Sequence, residues 1–210
     1  NATSQQELFK YNGDSISLVA DLMPGYYGSN PSYLTTLNGN LYFVGSDVNY
    51  ERQLYMHDPV ADTTGLHLEV NPNGSSDMGE LFVFNNKIYF SADNGTGIGN
   101  ELMAFVPGSG AYLVADINTN PGKSSNSRNY HSWNNALYFD ADDPVVDEEL
   151  FRMDAQEQVV RVADIGTGSA NCLGDGGGLI YNNMLFFSGR LNDKYHLWVS
   201  SGGNPDTIPG

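Results

Sequence analysis

The sequence predicts an all-β protein, a β-propeller of four-stranded antiparallel blades, on three observations. A turn dipeptide recurs at Asn38-Gly39, Asn85-Asn86, Asn134-Asn135 and Asn182-Asn183, with spacings of 47, 49 and 48 residues. An aliphatic-aromatic-aromatic triplet follows each turn: Leu41-Tyr42-Phe43, Ile88-Tyr89-Phe90, Leu137-Tyr138-Phe139 and Leu185-Phe186-Phe187. A Leu between a polar and a large apolar residue recurs five times, as Glu7-Leu8-Phe9, Gln53-Leu54-Tyr55, Glu101-Leu102-Met103, Glu149-Leu150-Phe151 and His196-Leu197-Trp198. Three landmarks in phase mark a repeat, and periods of roughly 20–50 residues belong to solenoids, propellers or arrays. Runs that are apolar on both faces, such as Leu185-Phe186-Phe187, fit sheets sandwiched between neighbouring sheets, as in radially repeated blades. The rival, a linear β-solenoid, has shorter coils and lacks regular two-residue hairpin turns.

In chain order, a polar lead-in precedes a hairpin, Glu7–Asn12 and Ser15–Leu22, turning at Asn12-Gly13 in the manner of a type I′ turn, which needs φ > 0 at both central positions. A loop carrying Tyr26 and Tyr27 follows. The first full unit is Ser32–Leu37, Asn40–Gly45, Gln53–Asp58 and Gly65–Asn71. The second is Gly79–Phe84, Lys87–Ala92, Glu101–Val106 and Ala111–Ile117. The third is Tyr130–Trp133, Ala136–Ala141, Glu149–Asp154 and Gln158–Ile165, where Val160 and Val162 alternate with Arg161. The fourth is Gly178–Tyr181, Met184–Gly189 and Tyr195–Ser200, with at most a short strand in the Gly- and Pro-containing tail. One domain, 1–210, is expected, with repeats near 7–52, 53–100, 101–148 and 149–195 and a partial one at 196–210. Four blades leave the smallest mismatch of strands to slots; five blades or part of a longer array are the alternatives. Ring closure is expected through Ser15–Leu22, lying as the outer strand beside Tyr195–Ser200, with Glu7–Asn12 displaced or pairing elsewhere. The triplet residues Phe43, Phe90, Phe139 and Phe187 are expected at equivalent buried positions, and Trp133 in the core.

At these landmarks the chain resembles the bacterial-type Glu-Leu-Trp-x-x-Asp-Gly-Thr (ELWxxDGT) repeat family. Asn38-Gly39-Asn40-Leu41-Tyr42-Phe43, Leu113-Val114-Ala115-Asp116-Ile117 and the loop Pro121-Gly122-Lys123-Ser124-Ser125 match its pattern closely, and His196-Leu197-Trp198 keeps its Trp. The resemblance covers nearly the whole chain. It implies a propeller-like fold within secreted or surface proteins, and no catalytic residues, since the motif is architectural.

Charge is lopsided: 9 Lys+Arg against 25 Asp+Glu give a net charge of −16. Nucleic acid and anionic membranes, which need basic patches, are therefore excluded as partners. The acidity suits a salty or extracellular medium, and it is compatible with divalent cations. No apolar run approaches the length of a membrane-spanning helix, so no membrane insertion is expected. Cys172 stands alone, so no disulfide forms within the chain. Sequons at Asn1, Asn73 and Asn94 lie in expected loops or at the terminus and are candidates for glycosylation.

The densest carboxylate cluster is Asp140, Asp142, Asp143, Asp147, Glu148 and Glu149. If this loop binds a cofactor it is Ca²⁺, which takes six or more hard oxygen ligands, although the spacing is not an EF-hand's; the other reading is a solvated acidic loop. The histidines His57, His67, His131 and His196 show no ligand spacing. Among loop aromatics, Tyr26, Tyr27, Tyr130 and His131 are candidates for lining a saccharide pocket, because sugar rings stack on aromatic faces while Asn and Asp hold their hydroxyls; blade packing is the competing use. The expectation is a non-enzymatic extracellular or cell-surface recognition or adhesion module for a glycan or a surface protein. The alternative is a structural subunit that self-assembles in a filament, and a third reading is a hydrolase or lyase on a propeller scaffold.

Overall fold

The computed structural model describes residues 6–25, 27–145, 148–163, 177–191, 194–202 and 206–207. They form strands and loops only. Hairpin β1 (Leu8–Tyr11) and β2 (Ile16–Ala20) is a two-stranded sheet of its own. Four antiparallel four-stranded sheets follow. The first is β3 (Ser32–Leu37), β4 (Asn40–Ser46), β5 (Arg52–Asp58) and β6 (Thr63–Leu68); the second is β7 (Phe82–Phe84), β8 (Lys87–Asp93), β9 (Asn100–Val106) and β10 (Gly110–Ala115). The third is β11 (Arg128–Trp133), β12 (Ala136–Asp142), β13 (Glu148–Met153) and β14 (Val159–Ala163); the fourth is β15 (Gly178–Tyr181), β16 (Met184–Leu191), β17 (Lys194–Ser200) and β18 (Asp206–Thr207).

Each sheet is a meander, and its first hairpin is set by turn chemistry. Both residues of each expected dipeptide take positive φ, from 47° at Asn85 to 83° at Gly39, in closed two-residue turns such as Leu37↔Asn40 and Trp133↔Ala136. Asn tolerates this left-handed region, and its mirror-type turn matches the strand twist. The expected type I′ turn at Asn12-Gly13 does not form. Tyr11 pairs with Ile16 across a four-residue loop, in which Asn12 Oδ1 accepts from the Asp14 and Ser15 amides at 3.0 and 2.9 Å.

The side chains of the triplet alternate across the sheets. Leu41 and Phe43 pack toward β1–β2 with Leu8, while Tyr42 and Val44 pack on Ile88, Phe90 and Ala92 of the second sheet. Tyr89 then meets Leu137, Phe139 and Ala141 of the third, and Tyr138 meets Leu185 and Phe187 of the fourth. The core is thus a chain of layers between successive sheets, rather than a single centre. Phe43, Phe90 and Phe139 are fully buried and Phe187 nearly so, and Trp133 is in the core, as the register predicts. The Trp133 indole N–H also donates to Asn183 Oδ1 at 3.1 Å, tying the third sheet to the fourth.

The closure expected from the sequence is corrected. β2 stays with β1 rather than crossing to the fourth sheet, and β18 occupies the place beside β17. The short loop after Tyr11 makes the local hairpin entropically cheaper than a long-range pairing. By their landmarks, β1 and β2 correspond to the third and fourth strands of a sheet.

Candidate functional site

The sequence candidates scatter. Tyr26, Asp147, Asn1 and Cys172 lie outside the described residues. Tyr27 is exposed and meets Tyr50 edge-on, with ring centroids 5.6 Å apart. Tyr130 cannot serve as a ligand platform: its ring is buried among Phe82 and Phe139, its hydroxyl bonds Ser127, and burial pushes its pKa up. His131 is half-buried at the junction of β11 and β15, where Nε2 accepts from the Gly178 amide at 2.7 Å. A Cβ at Gly178 would lie 2.9 Å from the tip of Leu185, 3.2 Å from the Phe186 carbonyl oxygen and 3.4 Å from His131 Nε2, so a side chain there would crowd its neighbours. Burial holds His131 below its ordinary pKa. Asn73 is exposed; Asn94 Oδ1 accepts from the Thr96 hydroxyl at 2.6 Å and the Thr96 amide at 3.1 Å.

The carboxylates proposed for Ca²⁺ do not converge. Asp140 is fully buried and accepts from Asn129 Nδ2 at 3.0 Å; Asp142 accepts from Asn126 Nδ2 at 3.0 Å. Asp143 takes the Arg161 guanidinium at 3.1 Å, and Glu148 that of Arg128. Glu149 is turned into the interior. Among the described residues no three His, Cys, Asp or Glu side chains are grouped to hold a metal ion. Local partners are the cause: Asp140, Asp142 and Glu148 share one face, Asp142 pairing with Glu148, but each is taken by its own donor, Asn129, Asn126 and Arg128.

The polar residue before the landmark Leu has a role that sequence reading missed. Glu7, Gln53, Glu101 and Glu149 are all buried. Glu101 accepts from the Ile117, Asn118 and Ser125 amides at 2.7, 3.4 and 2.9 Å. Glu7 accepts from the Leu22 and Ser29 amides and from the Ser29 hydroxyl. Gln53 Oε1 accepts from the Val70 amide at 2.8 Å, while its Nε2 donates to the Asn71 and Gly74 carbonyls at 3.0 and 2.9 Å. The loop serines Ser29, Ser76 and Ser125 are fully buried, and their carbonyls accept from the Ser46, Asp93 and Asp142 amides at 2.7, 2.8 and 2.7 Å. Among the described residues, these three loops thus stitch the third strand of one sheet to the second strand of the next. Buried amides otherwise without partners find one in a side chain. Burial pushes the Glu101 carboxyl up in pKa, and the donors around it oppose that rise.

The strongest candidate site is a cavity of about 570 Å³ where β3, β8, β9, β11 and the loops before β7 and β11 meet, lined by Tyr33, Asp77, Glu80, Ser91, Asn100, Asn126, Arg128 and Asn129 among others. Its shape comes from irregular backbone. The β3–β4 and β11–β12 registers slip between Ser32 and Thr35 and between Arg128 and His131. Tyr33, Asp77, Asn126 and Asn129 take φ of 53°, 45°, 47° and 56°. Bulges and left-handed residues of this kind re-aim side chains and cluster at binding sites. The Asn129 amide donates to Glu80 Oε2 at 3.0 Å, and Asn100 Nδ2 donates to the Asp77 carbonyl at 3.2 Å. Burial raises the Glu80 pKa against the pull of the Asn129 and Tyr130 amides. The buried Ser91 hydroxyl has no hydrogen-bond partner among the described residues. One aromatic ring, three amide side chains and two carboxylates therefore face one concavity. Tyr33, Glu80 and Asn129 stand in one phase of the repeat, 47 and 49 residues apart, which is the sequence signal that could have found them.

No protein-family model and no curated protein matches the chain. Solved structures do resemble it. A puromycin-hydrolysing peptidase of Mycobacterium tuberculosis superposes with a TM-score of 0.61 at 10% identity, over 93% of this chain and 30% of that one. TolB of Acinetobacter baumannii gives 0.57 at 10% identity, over 91% and 44%. A prolyl endopeptidase gives 0.55 at 13% identity, over 81% and 24%. The chain spans less than half the length of each of these proteins. At such identity the similarity is one of fold: an all-β, propeller-like stack of four-stranded sheets.

Proposed function

We propose that the protein is a non-enzymatic recognition module for glycans, acting outside the cell, and that the cavity between Tyr33 and Asn129 is its binding site. The observation that carries this reading is the make-up of that cavity. A saccharide offers an apolar ring face and many hydroxyls, and its recognition calls for an aromatic platform among amide and carboxylate groups on a preformed wall. The Tyr33 ring and the side chains of Asn100, Asn126 and Asn129 supply such groups. The wall is held in place by its own contacts: Asp77 Oδ1 accepts from the Ser75 hydroxyl at 2.7 Å, Glu80 holds the Asn129 amide, and Asn100, Asn126 and Asn129 donate from Nδ2 to the Asp77 carbonyl, Asp142 and Asp140. The test is a glycan array followed by titration of any hit against Tyr33→Ala and Asn129→Ala. Affinity for the hit should fall at least about tenfold in each variant, the equivalent of roughly 1.4 kcal/mol. Absence of glycan binding, or binding that ignores both substitutions, would overturn the reading.

A further inference from the structure

The cavity around Tyr33 holds one buried group that the chain itself does not serve. Ser91 lines the cavity and is only 3% exposed, and its hydroxyl has no hydrogen-bond partner among the described residues. The second sheet packs on the first by one face and on the third by the other, so Ser91 lies inside the stack. The repeat shows how this position is treated elsewhere. In the third sheet the equivalent pair is Asn129 and Asp140, 49 residues on from Glu80 and Ser91, and Asn129 Nδ2 donates to Asp140 at 3.0 Å. In the first sheet the place of Ser91 is held by Val44, which is fully buried and needs no partner. In the second sheet Glu80 turns instead to the Asn129 amide of the third, at 3.0 Å, and leaves Ser91 alone. Gly79 keeps the space over Ser91 open. A Cβ there would lie 3.6 Å from Ser91 Cβ, whereas Ser32 and Arg128, in the same phase of the repeat, carry side chains. A buried hydroxyl without a partner costs stability, so such a group in a folded protein calls for a partner from outside the chain.

The cavity also has a continuation. Exposed Asn126 lines both this cavity and a second concavity of about 490 Å³, whose wall includes Lys123, Ser124, Asp142 and Asp143. There Asp142 is taken by Asn126 and Asp143 by Arg161. The Lys123 ammonium has no hydrogen bond or ion pair among the described residues. An unused hydroxyl thus stands in one concavity and an unused cationic donor in the next, with Asn126 between them.

We propose that the site takes an oligosaccharide of two or more units rather than a single sugar. One unit sits in the cavity with a hydroxyl on Ser91 Oγ, and the next crosses Asn126 to meet Lys123. This rests on the glycan reading of the cavity. Solvent can serve Ser91 in the free protein, and a sugar hydroxyl that displaces it reproduces the bond.

The test titrates the strongest glycan-array hit, and the mono-, di- and trisaccharide fragments of that glycan, into wild type, Ser91→Ala and Lys123→Ala by calorimetry. For wild type, affinity should rise at least about tenfold from the monosaccharide to the longer fragments. Lys123→Ala should remove most of that gain and leave monosaccharide binding unchanged. Ser91→Ala should weaken every fragment that binds by about three- to tenfold, the share of one hydrogen bond. Without glycan, Ser91→Ala should melt at or above the wild-type temperature, because the deleted hydroxyl serves nothing within the chain. Equal affinity for all fragments, a Lys123→Ala protein that keeps the full gain, or a Ser91→Ala protein that binds as wild type or melts well below it would each overturn the proposal. An array with no hit would overturn the glycan reading and this proposal with it. A hit whose monosaccharide binds as tightly as the whole glycan would sink the second subsite and leave the glycan reading standing.

Discussion

Phe90 and Phe9 differ in worth although both sit in apolar strand positions. Phe90 is sealed between the first and second sheets, whereas Phe9 is 53% exposed at the end of the stack. Phe90→Ala should cost about 3–5 kcal/mol by leaving a cavity in a close-packed layer. Phe9→Ala should change the stability of the monomer by no more than about 0.5 kcal/mol. Urea unfolding of both variants measures the contrast, and a small effect at Phe90 would refute the burial argument. The alternation of the triplet made this legible in advance, since period-2 geometry assigns its first and third residues to one sheet junction and its second to the next. Tyr130 was not legible. A Tyr beside a His in an expected loop reads equally as ligand platform or as core, and only the packing of Phe82 and Phe139 decides for core.

At the scale of elements, the fourth strands are shorter than their apolar runs. The run Ala111–Ile117 yields β10 ending at Ala115, because the Ile117 amide leaves the ladder for Glu101. The expected Gly65–Asn71 gives β6 at Thr63–Leu68 for the same reason, with the Val70 amide on Gln53. Glu101→Ala should strand the Ile117 and Asn118 amides, while the Ser125 amide keeps the Asn100 carbonyl at 2.9 Å, and cost about 2–3 kcal/mol, since each buried unpaired donor costs roughly 1–3 kcal/mol, less where water enters. Glu101→Gln should cost less, about 1 kcal/mol, because an amide can still accept one such bond, as Gln53 does in the first sheet. Denaturant midpoints for the pair check the order, and equal losses would contradict a hydrogen-bonding role. The motif was visible in sequence as a polar residue before Leu; its partners lie 16 to 24 residues away and become apparent only when the loop folds back.

For the whole molecule, one of the contacts that couple the third and fourth sheets is expected to respond to proton uptake at a single ring. His131 Nε2 accepts from the Gly178 amide, so the imidazole must be neutral at that atom. Its pKa in the folded chain lies below the ordinary value of 6.5 because of burial. A depressed folded pKa means that the stabilisation is full above the unfolded value and is lost as pH falls through the folded one. His67 is also depressed by burial and the chain carries many acids, so a comparison isolates the effect. Between about pH 7.5 and pH 5, wild type should lose more melting temperature than His131→Gln, whose amide oxygen accepts without titrating. Parallel losses in the two proteins would remove His131 as the pH-sensitive contact.

Local chemistry settled much of the architecture before any tertiary contact was known. The Asn-Gly and Asn-Asn pairs that recur at the repeat period favour left-handed backbone, and so place the first hairpin of each sheet; the repeat period then counts the sheets, and alternation assigns the faces. Tertiary structure decided the rest. Which strand lies beside β17 depends on a competition between a local hairpin and a distant pairing, which pattern alone does not rank. The cavity around Tyr33 and Asn129 depends on bulges that shift the register by more than the strand period reveals. The acids of the Asp140 region carry identical charges in sequence, yet each takes its own partner once the chain folds, Asp140 and Asp142 an asparagine amide each, Asp143 and Glu148 an arginine each.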